Sequence, residues 1–430
     1  MAGGGAAGGK GGLIEVSGHD VLLSGEINPG SGGTLLIDPF NVKITPSVGF
    51  NNVAGSTVSE AFISNQLGHN IGVSIVATHN VDFLATGANH VLQGGGGNFT
   101  VTAGDNILFH ANDYEIRTGR GNVTLTAMSG DIGDASHRLS LVSSAPGISQ
   151  AGDIRLTAGN DMFLGNVTVR SGGTGIFGAG NFHALFSANA GGSFSAAGVI
   201  DVGAKAKGSG AQGANAQVHI SAGSDLVLHG VKALASASEF GGGGNVGATA
   251  HVDLDGLRVV DHGNASAAAV IGGHSGHNFR AGADLTVHAE GQIQIDGNVA
   301  VAARGNVFSV DTATVHALAQ LEASSGEVRV GNLALEARGR GNKVGFVNAS
   351  AAADMSGSAV HVAHNALVQA TANNANLGRS ASANAELVVT AFGGNASFGG
   401  DVTVRGTALN GGARRMRTST GSASTSVPPA

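Results

Sequence analysis

The chain has 430 residues, a formal charge of −7 from 22 basic and 29 acidic side chains, and neither cysteine nor tryptophan. Zero cysteine removes disulfides and thiolate chemistry, an acidic balance without a large basic block in its body excludes the usual nucleic-acid surface, and no run of about 18 apolar residues exists to span a membrane as a helix. Glycine at 73 positions without a three-residue period, with only 6 prolines, excludes collagen, and 42% hydrophobic against 12% charged residues excludes wholesale disorder.

In chain order, residues 1–10 are a Gly/Ala leader with no basic n-region or apolar h-region, so they are not a signal peptide. Residues 11–45 contain their own echo. Ile14 with Val16 and Val21 with Leu23 are apolar pairs two apart, and 21 residues on they return as Leu35 with Ile37 and Val42 with Ile44. Residues two apart on a strand share a face, and a double pair recurring at about 20 residues is the mark of a β-solenoid coil. The spacing predicts Ile14 stacked on Leu35 and Val21 on Val42 inside, with Glu15 and Lys43 in solvent. Asn28 to Gly33 and Asp38-Pro39 read as turns.

Residues 11–18 (GGLIEVSG) and 33–44 (GTLLIDPFNVKI) closely resemble a segment of filamentous-haemagglutinin-like exoproteins, the large secreted partners of two-partner secretion in Gram-negative bacteria. The resemblance continues through residues 62–67 (FISNQL) and 73–75 (VSI), covers roughly 11–131, and beyond that persists only as repeat style. It implies a right-handed parallel β-helix, the hand also favoured by the general crossover preference. It also implies secretion or cell-surface display, an outer-membrane transporter as secretion partner, and a host receptor or glycan as target. The lack of cysteine suits a chain that crosses an outer membrane unfolded. Because the family is exported and no export signal is present, the expectation is a fragment or a mis-started or broken reading frame.

Further along, residues 73–84 and 99–109 read as two-strand units and 123–126 as a strand, with a turn at 130–134. One unit then repeats: Ile154, Leu156, Met162, Leu164, Val167 and Val169 have the same spacing as Val218, Ile220, Leu226, Leu228, Val231 and Ala233. Ala-Gly-x-Asp separates the first two strands at 158–161 and 222–225, and returns at 281–284. A Gly-(Asn/Asp)-apolar signature at Gly121, Gly165, Gly297, Gly331 and Gly400 reads as a corner, where Gly and Asn tolerate left-handed backbone. Residues 172–180, 208–213 and 241–247 read as loops. Sustained 3.6-residue periodicity is missing, although Ala-rich 265–269 and 349–353 leave room for short helices. The domain reading is therefore a leader at 1–10, one β-helical rod at 11–410, and a tail at 411–430 that is basic, then Ser/Thr/Pro-rich, and expected to be disordered.

Candidate chemistry is sparse. Gly173 to Gly178 matches GxGxxG but lacks the strand-before, helix-after context of a nucleotide site. Gly94 to Phe99 and Gly172 to Phe177 approach a calcium-repeat motif but lack its Asp. His361 with His364 and His274 with His277 have chelate-like spacing, yet residues three apart on a strand face opposite ways. No nucleophile elbow is present. The reading names no catalytic, cofactor or metal residues and no enzyme activity. Asn-x-Ser/Thr at Asn98, Asn122, Asn166, Asn264, Asn348 and Asn395 reads first as corner chemistry and second as glycan acceptors. Strand alternation predicts that His219, His288 and His361 point outward. The expected function is a segment of a filamentous adhesin rod. The alternatives are a carbohydrate-active β-helix enzyme, recognisable by two carboxylates about 5–10 Å apart in a groove, and the stalk of a contact-dependent toxin system.

Overall fold

The computed structural model describes residues 11–21, 27–46, 56–85, 90–145, 150–177, 180–241, 243–377, 379–411, 413–420 and 424–426. The 1–10 leader and Leu23 lie outside these. The chain divides into two compact units, Met1–Arg170 with Leu185–Ile200 and Ser221–Ser224, and Ser171–Ala184 with Asp201–Ile220 and Asp225–Ala430. Each is a parallel β-solenoid.

In the first unit one face stacks the strands Leu13–Gly18, Thr34–Pro39, Gly72–Ala77, Phe99–Ala103, Val123–Ala127 and Ile154–Ala158. The register places Ile14 on Leu35, then Val73, Phe99, Val123 and Ile154 in one interior column. Leu35 to Ile154 in that column are at most 1% exposed. Ile14, in the first described coil, has a neighbour on one side only and is half-buried. Glu15 and Lys43 are exposed, as alternation requires. The steps along the column are 21, 38, 26, 24 and 31 residues, so the 21-residue echo holds for the first coil alone.

The second half of that echo is corrected. Val42 pairs with Val81 on one side and Ser56 on the other. Val21 does not stack on it; its N–H donates to Ser56 Oγ at 2.6 Å. The physical reason is the long second coil: the strand Ser56–Ser59 returns to occupy the edge of Val42–Thr45. A helix, Glu60–Gly68, follows at once. Ser59 caps it by accepting the Phe62 N–H at 3.1 Å, and Glu60 lies in its first turn, where negative charge is favoured. Its apolar anchors Ile63 and Leu67 are fully buried. They make a single four-residue step, too short to register as periodicity.

The repeated six-position pattern is two residues for each of three faces. Ile154 and Leu156 lie on the first face, Met162 bridges to Ile132 on the second, and Val167 and Val169 pair with Leu141 and Ser143 on the third. All six apolar residues are at most 2% exposed.

In the second unit the strands lengthen. Val246–Gly256 has 11 residues, Gly276–Ala289 and Val310–Ala323 have 14, and Ile293–Phe308 has 16. The coil becomes regular: Val246 pairs with Phe279, Phe279 with Ala313, Ala313 with Val347 and Val347 with Ala381, steps of 33, 34, 34 and 34 residues. The Ala-rich stretches are strand, inside Ala265–Gly273 and Phe346–Gly357, with Ala265, Ala267, Ala269, Ala349, Ala351 and Ala353 facing in. Alanine's helix preference is a fraction of a kcal/mol per residue and yields to ladder pairing and burial. Gly172 to Phe177, read as loop, continues the strand Met162–Phe177. The third Ala-Gly-x-Asp also sits inside a strand, so Asp284 is a sheet residue and not a corner. The expected loop at 208–213 shrinks to Gly210 and Ala211 between the strands Ile200–Ser209 and Gln212–Ala222, with Gly210 at φ 85°, and of 241–247 the residues Gly241 and 243–245 lie outside strands, with Gly243 at φ 68°. Beyond Asn410 backbone pairing continues: Ala413–Thr420 runs antiparallel to Val402–Gly411, and Ser424–Ser426 pairs with Val388 to Thr390.

The corners are built differently from the expectation. Gly121 and Gly297 do not have left-handed backbone; a Cβ there would lie 1.8 Å from the Gly97 oxygen and 2.2 Å from the Gly263 oxygen. Glycine is required by the close approach of successive coils. The neighbouring Asn and Asp side chains then tie coil to coil. In the first unit Asn80 Oδ1 accepts the Asn106 N–H, Asn106 that of Asp131, Asp131 that of Asp161 and Asp161 that of Ser193, at 2.7–3.0 Å. In the second, Asn264 accepts from Asn298, Asn332 from Asn365 and Asn365 from Asp401.

Candidate ligand groove

The long strands of the second unit end in a groove of about 760 Å³. Its floor is one row of register partners, Ser238, Gly272, Asn306, Arg340 and Asn373, each contributed by the next coil. Gly272 makes the row low at its second step; a Cβ there would have nothing closer than 3.7 Å. Two positions past the row, alternation again points side chains outward, and there the chain places rings. Phe240 and Phe308 are 48% and 36% exposed. His274 lies between them along the chain repeat, its ring 6.4 Å from Phe308, and Lys343 Nζ sits 5.4 Å from the Phe308 ring centroid. Lys343 itself has φ 58°, a left-handed position that costs a non-glycine residue about 1 kcal/mol.

Lys207 and Arg340 add cations to the lining, and both are exposed. Among the described lining residues Glu239 is the only carboxylate, and it is 2% exposed. Its oxygens are engaged: Oε1 accepts the Gly241 N–H at 2.6 Å, and Oε2 accepts those of His274 and Ser275 at 3.3 and 3.2 Å. It fixes the corner that carries Phe240 and His274. The groove therefore offers aromatic faces, amides and positive charge to a ligand, with no free carboxylate among its lining residues.

The histidine pairs singled out by local spacing do not come together. His361 Nδ1 meets Ser397 Oγ at 2.6 Å, and His277 Nδ1 meets Asp311 at 2.9 Å while His274 turns to Phe308. His219, His288 and His361 do face outward, each half-buried between buried apolar neighbours. What local reading missed is their partners. His219 with Asp253, His262 with Asp296, His277 with Asp311 and His288 with Glu322 are four His–carboxylate pairs at 2.8–4.0 Å, all 34 residues apart. That interval is the coil length of the second unit, so the signal is in the sequence for a reader who tests that spacing. Hydrogen bonds from Gln294 and His262 hold the Asp296 carboxyl below its usual range. On the outer face of the first sheet, burial pushes Asp284 up. Burial does the same to Asp354, helped by the charges of Glu322 and Glu386. None of these carboxylates lines the groove.

The GxGxxG match begins on the strand Met162–Phe177, and the side chains of residues 174–179 lie outside the description. At the Asn-x-Ser/Thr sites, Asn98, Asn122, Asn166 and Asn264 each accept a backbone N–H of the next coil at 2.7–3.0 Å, which is corner chemistry. No helix among the described residues is long and apolar enough to cross a membrane. No family model matches the chain, and no curated protein matches it. The class defined by the fold is the parallel β-solenoid.

Proposed function

We propose that the chain is a segment of the β-helical rod of a secreted or surface-displayed filamentous adhesin, exported through an outer-membrane transporter of the two-partner type. In this reading the groove of the second unit binds an anionic glycan of the host or of the surface colonised. The export part rests on the resemblance of residues 11–18 and 33–44 to such exoproteins, on the parallel solenoid, and on the absence of cysteine. The observation that carries the binding part is that Phe240, His274 and Phe308 share one groove with Lys207 and Arg340, with Lys343 Nζ over the Phe308 ring. Aromatic faces receive the apolar faces of sugar rings, while fixed cations select carboxylated or sulfated ones.

No catalytic step belongs to this reading. Glycoside hydrolysis uses two carboxylates facing one substrate, and the groove's single carboxylate is occupied by backbone N–H groups. The test is retention of the purified chain on immobilised anionic and neutral polysaccharides. Stronger retention on the anionic matrix, reduced at least tenfold by Arg340→Ala and by Phe308→Ala, is expected. Equal retention on both matrices, or variants that bind like the parent, would reject the glycan groove.

A further inference from the structure

We propose that His219, His251 and Asp253 form a binding site for one divalent transition-metal ion on the outer face of the second unit. The three side chains come from two strands, Gln212–Ala222 and Val246–Gly256, and each offers one donor atom, all within 4.8 Å of one another. Among the described residues they are the one group of three that does so. The site goes beyond the glycan reading and does not depend on it.

The backbone geometry is rigid. Val218, Ile220, Val252 and Leu254 are buried, so alternation turns the three donors outward from paired strands. His219 Nδ1 already stands 3.5 Å from Asp253 Oδ2, and the His219 and His251 ring centroids are 5.3 Å apart. Metal–donor bonds of about 2.0–2.2 Å around a tetrahedral ion place donors roughly 3.4 Å from one another. One pair is at that separation, and rotation of half-buried imidazoles closes the rest without moving the chain. Two imidazoles and one carboxylate suit Zn²⁺, Ni²⁺ or Cu²⁺ and not Ca²⁺ or Mg²⁺, which take oxygen donors.

A second observation points the same way. Asp284 is the register partner of His251 on the next strand. Its Oδ1 is buried and accepts no hydrogen bond, with His316 Nε2 3.9 Å away. An imidazole bound to a metal through one nitrogen donates its other N–H to a carboxylate, which orients the ring and raises its basicity. Asp284 stands on the strand beside His251, and a side-chain rotation that let His251 donate to it would satisfy an acceptor that is otherwise costly to bury. Three protein donors leave at least one coordination position to water or to an external group. The ion would tie two successive coils and would bind only the folded chain, so stability should rise with metal concentration.

The test is calorimetric titration of the full chain with zinc chloride, alongside its melting temperature. One ion per chain and a melting temperature that climbs with zinc are expected. His219→Ala and His251→Ala should each abolish that stoichiometric site, and Asp284→Asn should weaken it by about 10- to 100-fold. His262→Ala, in the comparable His229–His262 ring pair at 5.3 Å, should leave it unchanged. Circular dichroism establishes that each variant is folded. The proposal is overturned if zinc does not saturate the parent chain, if folded His251→Ala keeps the site, or if His262→Ala loses it equally.

Discussion

Tyr114 donates its phenolic hydroxyl to Glu60 Oε1 at 2.6 Å inside the first unit. Tyr114 is fully buried and Glu60 is 6% exposed. The bond joins the first turn of the helix Glu60–Gly68 to the strand Asp113–Thr118 on the third face. His90 Nε2 meets the other carboxylate oxygen, and the Tyr114 ring packs on Phe83 and Phe109 with centroids 5.2 Å away in both cases. Burial and the Glu60 carboxylate push the phenol's pKa far above its usual value, so it remains a donor at any physiological pH. Tyr114→Phe preserves the ring packing and leaves a buried acceptor short of one bond. It should cost about 1–3 kcal/mol in denaturant unfolding. An unchanged unfolding midpoint would show that the helix is held by Ile63 and Leu67 alone.

At Asp261 removal of the titrating group is expected to stabilise. The residue is fully buried, accepts the Gly263 N–H at 2.8 Å, and its Oδ2 has no partner. Burial raises its carboxyl above the usual range, against the pull of the Gly263 and Gly230 N–H groups and of His229 and His262. The folded state therefore holds this proton more tightly than the unfolded one. The linked penalty is absent below the unfolded carboxylate value near pH 3.9, grows as pH rises toward the folded value, and is complete above it. Asp261→Asn keeps an acceptor for Gly263 and removes the charge. Its melting temperature should exceed the parent's at neutral pH and converge with it near pH 3. A variant less stable than the parent at pH 7 would mean that the charge is compensated.

The corner glycines can be tested against a floor glycine. Gly297→Ala should destabilise by about 1–3 kcal/mol or prevent folding, since its Cβ would meet the Gly263 carbonyl at 2.2 Å. Gly272→Ala would meet only ordinary contacts, none closer than 3.7 Å, on ordinary backbone, and should be neutral or stabilising by up to about 1 kcal/mol. Thermal melts of the two, side by side, separate close approach from backbone conformation as the reason for glycine. Equal effects would reject the distinction.

Protonation of all 17 histidines would move the formal charge from −7 to +10 before any carboxylate titrates. Attachment to an anionic matrix should accordingly strengthen between about pH 7.5 and 5.5 and weaken with salt. At the His–carboxylate pairs the same unit change takes the pair from −1 to neutral, so beside Asp296 or Asp311 the surface loses negative charge and gains no net positive charge. Retention that is equal at both pH values and both salt levels would leave the surface as a spacer.

Strand order, alternation and interior columns were legible in the sequence because a strand repeats every two residues and a coil must return similar residues to the same column. Ile14 on Leu35, the six-position unit at 154–169 and 218–233, and outward His219, His288 and His361 all follow from that. Coil length was not legible from one echo. The 38-residue second coil is set by where Ser56–Ser59 and Glu60–Gly68 find room, and the helix rests on one apolar pair. The corner motif was legible as a motif and misread as to cause, since the oxygen that forbids a Cβ at Gly297 belongs to a residue 34 positions earlier. The groove was decided by tertiary structure alone, and the His–carboxylate pairs by a coil length that only the tertiary structure supplied. His274 and Phe308, or His219 and Asp253, meet only when register superposes one coil on the next, and a local reading of the chain carries no measure of that period.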